Sequence, residues 1–593
     1  MLAISLLPIV WSIFLVVFAA AFQNATADAA ATCKAHPTRP DWPSRADWSA
    51  LNTLIGGGLL EPAPLAAACH RTHPSYNAAR CTNIKANWAS SEFHAHHPTS
   101  SLWTNVNGYS CEITDTARDC TTAGFPVYVI NATDSRQVGL AVQWANKNNV
   151  RVSVKSTGHD FLGRSTQPYS LSIWVHYLQR RVYHAEGFRP EGCGFEIKGP
   201  AVSAGGGTQM EKLNHFVNGH GTSVIHGNSN TVSVGGYVSG GGHSTLSGLY
   251  GLAADAVLEV EMVGPTGEVF IANECQNKDL FWAVRGGGGG TWGVMMRVTM
   301  RAFPSVGQAT WRGTIHGPAG SNRSWAAISA FHSAWAKYLA PAGATGYVTG
   351  HAWREGKVTV QIYLPGARTE GELTTIMTSV ERQTRAAGGE MSGVGTYRAR
   401  AASRPGSPMT ANDGPSMSAT GSRTFPGNGQ NKIVASWLYG ARELNSPKLQ
   451  TALMGASDTD SMIYQDFTGG PGCAKPPFMR GGGNSVGQGW RTALVRPAAE
   501  LQWQGDNENT LAKRKAAAIK FTQSLASLNP DMGMYVNEAD PETEGIQKAF
   551  WGENYARLLS IKRRMDPSGV FWCKQCVGGE EWQYYQGGVL CKR

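Results

Sequence analysis

One stretch of this chain brings together residue types suited to anion binding and covalent attachment. Val150–Ser165 reads VRVSVKSTGHDFLGRS and places a single histidine, His159, in a tight turn just after an apolar strand. Gly158 and Gly163 can take backbone conformations closed to other residues. Lys155, Ser156, Thr157, Arg164 and Ser165 add cations and donors, and Asp160 follows the histidine. Successive backbone amides in such turns form anion-binding nests. The pattern describes a pyrophosphate cradle with a nucleophilic imidazole beside it. By itself, His159 reads equally well as a hydrogen-bonded turn histidine. Two further glycine blocks shift that balance: Gly235–His243 (GGYVSGGGH, with Gly235, Gly236, Gly240, Gly241 and His243) and Arg285–Gly293 (RGGGGGTWG). Three such segments imply a large anionic cofactor lying against bare backbone, and favour an enzyme over a binding module.

The elements that must position these residues follow from periodicity. Val127, Val129 and Ile130 predict a short strand, and Asp134 caps a helix, with Gln137 placed as in a capping box. Val138, Val142 and Ala145 mark the buried face of that helix, and Val150, Val152 and Val154 alternate as the next strand. The unit is strand, helix, strand, ligand loop. Ala256–Val263 alternates like a half-buried strand, turns at Gly264–Gly267 and returns as Val269–Ile271. Asp279–Val284 reads as a helix entering the third glycine block, with a strand after it at Val294–Arg301. Residues 305–530 mix strands and helices around a polar stretch, Ala401–Gly429, expected as a long surface loop. A helix near Glu544–Met565 is expected to stop at Asp566-Pro567.

Composition bounds the class. The 593 residues leave room for two or three domains, and 42% hydrophobic against 16% charged content excludes wholesale disorder. A net charge of +10 has no basic stripe behind it, so no nucleic-acid partner is expected. Met1–Phe22 is almost wholly apolar, and Ala25-Thr26-Ala27 offers a cleavage site, so a secretory leader is expected; an uncleaved anchor is the alternative. The expected product is secreted, without stable membrane association after cleavage. In that setting most of the eleven cysteines should form disulfides, and the odd count leaves at least one unpaired within the chain. Residues 28–121 read as an irregular extension pinned by such bridges. Asn131-Ala-Thr133 and Asn322-Arg-Ser324 are glycosylation sequons, consistent with surface loops.

Several familiar patterns fail their context. Gly288–Gly293 satisfies GxGxxG, but a helix precedes it and a strand follows, the reverse of a dinucleotide fingerprint. Gly483–Gly487 satisfies GxSxG inside a glycine run rather than on a strand-to-helix elbow. Cys573-Lys-Gln-Cys576 has no second CxxC to complete a zinc site, and His94, His96 and His97 are expected to face solvent. No metal site is expected.

Together, KSTGHDFLGRS, GGYVSGGGH, DLFWAVRGGGGGTWG and the segment YVNEADPETEGIQKAFWGENYARLLSIKRRMDPSGVFWC resemble the FAD-linked oxidases of the berberine bridge enzyme type, in the vanillyl-alcohol-oxidase superfamily. The resemblance runs from about 122 to 304 and from about 531 to 582. It implies FAD bonded covalently through its 8α-methyl to His159. Many members add a second link from a cysteine in G-x-C-P-T-V-G, where this chain has Ser229, so a single tether is expected. The resemblance makes Tyr535 of the Y-x-N segment the candidate catalytic base, with Asn537 nearby, although no activating partner can be read from spacing. It makes Asn554 and Tyr555 candidates for cofactor contact. A core aromatic with a satisfied hydroxyl is the other reading of Tyr535.

The expected fold is α+β: two α/β subdomains of a PCMH-type FAD-binding domain over 122–304, an α/β substrate domain with an antiparallel sheet over 305–530, and a C-terminal segment over 531–593 that completes the FAD site. The expected reaction is flavin-dependent oxidation of a small-molecule alcohol, amine or activated C–H, with O2 as acceptor, in secondary metabolism. Oligosaccharide oxidation, a catalytically silent flavin binder and a non-flavin lectin or adhesion protein are the alternatives.

Overall fold

A computed structural model describes residues 33–399, 428–456, 462–505, 508–585 and 588–593. The expected leader over 1–27, and all but the end of the expected loop over 401–429, lie outside the described residues. The first sheet joins β1 (Leu59–Leu60), β2 (Tyr128–Asn131), β3 (Val152–Lys155) and β4 (Leu171–Trp174) in the order β1-β2-β4-β3. β4 runs parallel to both β2 and β3, and the helix Ser135–Lys147 crosses from β2 to β3. Parallel strands put their ligand loops at one edge, and the loop carrying His159 leaves the C-terminal end of β3 there. Asp134 caps the crossover helix as expected, accepting from the Gln137 amide at 2.8 Å. The Gln137 side chain accepts instead from the Thr133 amide, so the reciprocal half of the capping box is displaced by one residue.

The second sheet is antiparallel throughout. β5 (Arg181–His184), β6 (Ala201–Gly205), β7 (Val257–Val263), β8 (Val269–Asn273) and β9 (Val294–Arg301) lie in the order β8-β7-β9-β6-β5. β7 and β8 are the predicted hairpin, and the helix Lys278–Val284 enters the third glycine block. The third sheet takes β10 (Gln308–His316), β11 (Thr345–His351), β12 (Lys357–Pro365), β13 (Glu390–Arg398), β14 (Asn431–Ser436), β15 (Met462–Phe467) and β16 (Ala493–Trp503) in the order β13-β10-β12-β11-β15-β16-β14. Side chains alternate across a strand. Val348, Val360, Ile362 and Ile463 therefore share a buried apolar face in one core with Trp325 and Phe331 of the helix Asn322–Ala334. The opposite face carries Tyr347, Asp466 and Arg496, the last two meeting His243 and Glu538, and the architecture is the expected α+β arrangement.

The extension preceding β2 is more ordered than its weak periodicity suggests. Ser44 and Asp47 form a capping box on the helix Arg45–Leu54, whose Trp48 and Leu51 are buried with Tyr128 and Ile130. Only two side chains of that helix are buried, too few to stand out as a periodic stripe. β1 of the extension pairs with β2, and Cys33–Cys591 ties it to the far end of the chain. Val570 and Phe571 complete the same core, and the Val152 amide donates to the Val570 carbonyl at 2.9 Å. The helix expected over Glu544–Met565 is two, Ile546–Trp551 and Asn554–Met565, broken where Gly552 takes φ +53°.

The described residues hold five disulfides: Cys33–Cys591, Cys69–Cys81, Cys111–Cys120, Cys193–Cys275 and Cys573–Cys576. Cys473 is left as a buried free thiol. The CxxC is thus a bridge, not half of a zinc site. The sequon Asn131 does not sit in a loop: it ends β2, half-buried, with its side-chain amide Oδ1 enclosed. Asn322 is exposed at a helix start. Among the described residues no helix is long and apolar enough to cross a membrane.

Candidate active site

The loop after β3 is shaped by close contacts. Gly158 has φ +80°, and a Cβ there would lie 2.7 Å from the Ser100 carbonyl oxygen, so no larger residue fits. Trp103 stacks on Phe161 at 4.7 Å, and its indole N–H donates to the His159 carbonyl at 2.9 Å. Asp160 closes the loop by accepting from the Arg164 amide at 2.6 Å and its Nε at 2.8 Å. His159 Nε2 lies 2.6 Å from Thr231 Oγ1. Burial, helped by His94, Lys155 and Lys432 nearby, pushes its pKa down to about 4, so the ring is neutral at physiological pH.

Around this loop the hydroxyls of Ser156, Ser165, Thr166 and Thr208 are buried with no hydrogen-bond partner among the described residues. Buried polar groups are normally paired, so each unpaired one needs a partner from outside the chain. The glycine blocks divide the remaining work. A Cβ on Gly235 would meet the Gly206 carbonyl at 2.8 Å, and one on Gly240 would meet Asn537 Oδ1 at 2.2 Å, so these two permit segment-to-segment packing. A Cβ on Gly236 would meet nothing within 4 Å, leaving bare backbone facing open space, and Gly241 sits at φ +117°. Unpaired hydroxyls beside uncovered backbone fit a phosphate-bearing cofactor such as FAD.

Asn537 knots three of these segments. Its Nδ2 donates to Tyr535 Oη at 2.9 Å and to the Gly236 carbonyl at 3.5 Å, and its Oδ1 accepts from Arg164 Nη2 at 3.1 Å. Tyr535 is buried, and burial, with the Glu538 carboxylate adding to it, raises its pKa well above the ordinary phenol value; the Asn537 donor only partly offsets this. Tyr535 is therefore held as a phenol, a hydrogen-bond donor rather than a ready base.

The carboxylates sit beside it. Arg496 bonds Asp466 and, at 2.5 Å, Glu538, and His243 Nε2 lies 3.4 Å from Glu538 and 3.6 Å from Asp466. The His243 ring meets Tyr535 edge-on at 5.3 Å. Register assembles this group: Arg312, Gln361, Tyr347, Asp466 and Arg496 lie opposite one another across β10, β12, β11, β15 and β16. Burial raises the Asp466 pKa against the pull of Arg496, whereas Arg496 and His243 overcome burial at Glu538 and hold it ionised. Asp466 Oδ1, Tyr347 Oη, His243 Nδ1 and two Arg496 nitrogens have no partner among the described residues. The loop 227–231 links the two ends of the site, for Asn228 lies beside the Tyr347 hydroxyl while Thr231 contacts His159.

Four expected residues are placed differently from their expected surroundings. His243 joins the charged group instead of the glycine cradle. Lys155 is buried and turned toward the His94 and Ala95 carbonyls, each 3.5 Å away, rather than toward an anion; burial pushes its pKa down to about 7. Asn554 spends its amide on the Val486 carbonyl at 3.0 Å. His94 does not face solvent but is buried between Ser100 and the Trp88 carbonyl; only His96 of that trio is exposed. Ser485 of the GxSxG run is buried and donates to the Ala283 carbonyl, which excludes it as a nucleophile. Ser229 Oγ is enclosed and unpaired. Asp466, Arg496, Glu538 and Thr231 were missed by motif reading. Glu538, one residue after Asn537, and Thr231, at the threonine of the G-x-C-P-T-V-G pattern, carried a sequence signal.

Comparison with known proteins agrees with this geometry. Residues 126–273 match the family described as FAD binding domain, and 534–578 match berberine and berberine like. The FAD-linked oxidoreductase patO of Aspergillus clavatus is 30% identical over 95% of both chains. The VAO-type flavoprotein oxidase VAO615 of Thermothelomyces thermophilus is 31% identical over 95% of both. The crystal structure of the VAO-type flavoprotein MtVAO615 from Myceliophthora thermophila C1 superposes with a TM-score of 0.83 at 29% identity, covering 95% of this chain and 100% of that one.

Proposed function

We propose, from the premise that this chain belongs to the FAD-linked oxidoreductases of the vanillyl-alcohol-oxidase and berberine bridge enzyme type, that it is a secreted oxidase of a polar small molecule, tethered to FAD through His159 alone. The single observation that carries this reading is the adjacency of two groups: a neutral imidazole amid unpaired hydroxyls and bare glycine backbone, and a buried Asp466–Arg496–Glu538–Tyr535 cluster reached through loop 227–231. His159 would hold the ring system, and Ser156, Thr157, Ser165, Gly235 and Gly236 the phosphates. When bound, FAD supplies a hydride acceptor and passes electrons to O2.

The chain's own part is binding and proton transfer. Asp466 Oδ1 is the unpaired acceptor for the proton of a substrate hydroxyl or amine, and Arg496 stabilises the carboxylate geometry. Tyr535 and Tyr347 offer hydroxyls that orient the substrate. The absence of a cysteine at Ser229 supports one tether, and the relative named an oxidase supports O2 as acceptor. Five disulfides support an oxidising compartment.

An absorbance spectrum before and after acid precipitation tests the tether. Yellow colour should stay with the pellet and be lost from it in His159→Ala; colour in the wild-type supernatant would refute covalent attachment. Anaerobic bleaching by a panel of alcohols, amines and oligosaccharides, set against H2O2 release in air, tests the oxidase assignment. Bound flavin that no substrate class reduces would instead identify a silent binder.

A further inference from the structure

His159 is held by a short hydrogen-bond chain that begins in the N-terminal extension. Thr231 Oγ1 lies 2.6 Å from His159 Nε2 and donates to Ser91 Oγ at 2.9 Å. Ser91 opens the helix Ser91–Ala95, and both hydroxyl residues are buried, at 3% and 8% exposure, which limits water as a substitute. A hydroxyl has one proton to give. With that proton committed to Ser91, Thr231 meets the imidazole with a lone pair. Neutral imidazole has one N–H and one bare nitrogen, so Nε2 carries the proton and Nδ1 is the nucleophile. The extension holds the loop from outside as well, through the Trp103 bond to the His159 carbonyl and the Ser100 carbonyl packed against Gly158.

We propose that Thr231, oriented by Ser91, is a positioning residue for covalent flavin attachment: it selects the His159 tautomer in which Nδ1 attacks, and accepts the Nε2–H hydrogen bond as positive charge develops on the ring. This rests on the reading of His159 as the tether. In the step, Nδ1 forms a bond to the 8α carbon of FAD and one C–H bond of that methyl breaks, its hydrogen leaving as a proton. Once Nδ1 is alkylated, the Nε2 proton passes to solvent. The electron pair passes through the flavin to O2, which takes two electrons and two protons to become H2O2.

The test uses the full-length chain supplied with excess FAD in air. Its readouts are the flavin fraction that survives acid precipitation and the mass of the His159 peptide. Thr231→Val should still bind FAD but attach it about tenfold more slowly or worse, with Thr231→Ser restoring attachment and Ser91→Ala intermediate. Attachment by Thr231→Val at the wild-type rate would overturn the proposal, as would failure of Thr231→Ser to rescue it, loss of reversible FAD binding, or a linkage found on Nε2. If Thr231→Val does not fold, Ser91→Ala decides, and a wild-type rate there overturns the proposal. A wild-type chain with no covalent flavin would refute the tether itself, a different outcome from any of these.

Discussion

The two ends of the site manage buried ionisable groups in opposite ways. Around His159 burial acts on groups with no carboxylate bonded to them: His94, His159 and Lys155 are all pushed toward their neutral forms. Around Asp466 charge is paired, with Arg496 between two carboxylates: Glu538 is held ionised, while burial raises the Asp466 pKa against the pull of Arg496. Taking a charge out of water is costly unless a partner offsets it. The first arrangement leaves a bare imidazole nitrogen and unpaired hydroxyls, suited to bonding a carbon and holding phosphate. The second leaves a carboxylate oxygen poised to take a proton. The two ends therefore differ in electrostatic strategy.

The largest way to break this contrast is at the charged end. Asp466→Asn removes the free proton acceptor while leaving Arg496 paired with Glu538, and should lower kcat by about 10²–10⁴-fold with the flavin spectrum retained. A kcat within about threefold of wild type would move the base elsewhere. Arg496→Leu strands the buried Asp466 carboxylate and takes the cation from half-buried Glu538, and thermal or denaturant unfolding should report a loss of about 3–5 kcal/mol. Replacing the pair by apolar residues, as in Asp466→Leu with Arg496→Leu, should recover much of that loss, because no unpaired charge remains at position 466 or 496.

Changes at the neutral end should be smaller. Gly158→Ala forces a side chain into φ +80° against the Ser100 carbonyl and should cost about 1–3 kcal/mol, read by unfolding. A pH-dependent test at this end concerns Lys155. Its pKa is about 7 in the folded protein and near 10.5 unfolded, so between those values the unfolded chain binds more protons and stability rises with pH. The burial penalty is thus fully present below pH 7 and fades toward pH 10.5. Lys155→Met should raise Tm more at pH 6 than at pH 9; an equal shift at both would show that Lys155 is not the buried cation described.

Much of the cofactor end was legible because its constraints are local. Gly158 and Gly163 are required by the backbone angles of their own turn, and Asn537 lies two residues from Tyr535, so a short window of residues reveals each. The extension was harder to read: Trp48 and Leu51 bury against residues about 80 positions away, and a helix with two buried side chains shows almost no periodic stripe. Lys155 shows the limit at the site itself. It ends β3 at the start of the loop, and nothing nearby in the chain shows that its side chain turns to His94 and Ala95.

By itself the sequence determined the glycine-bounded turn that carries His159, since residue type and short-range backbone geometry decide it; a tether at His159 and a missing second anchor at Ser229 are what the family resemblance implies. Only the tertiary structure decided the Asp466–Arg496–Glu538 group. Asp466 and Arg496 are 30 residues apart and meet because β15 and β16 pair in one register. A slip of one residue would turn both side chains to the opposite face of the sheet. The same holds for Ser91, Thr231 and His159, which meet from three separate segments. Which proton each group holds depends on that meeting, because burial and pairing are properties of the assembled neighbourhood rather than of any one segment.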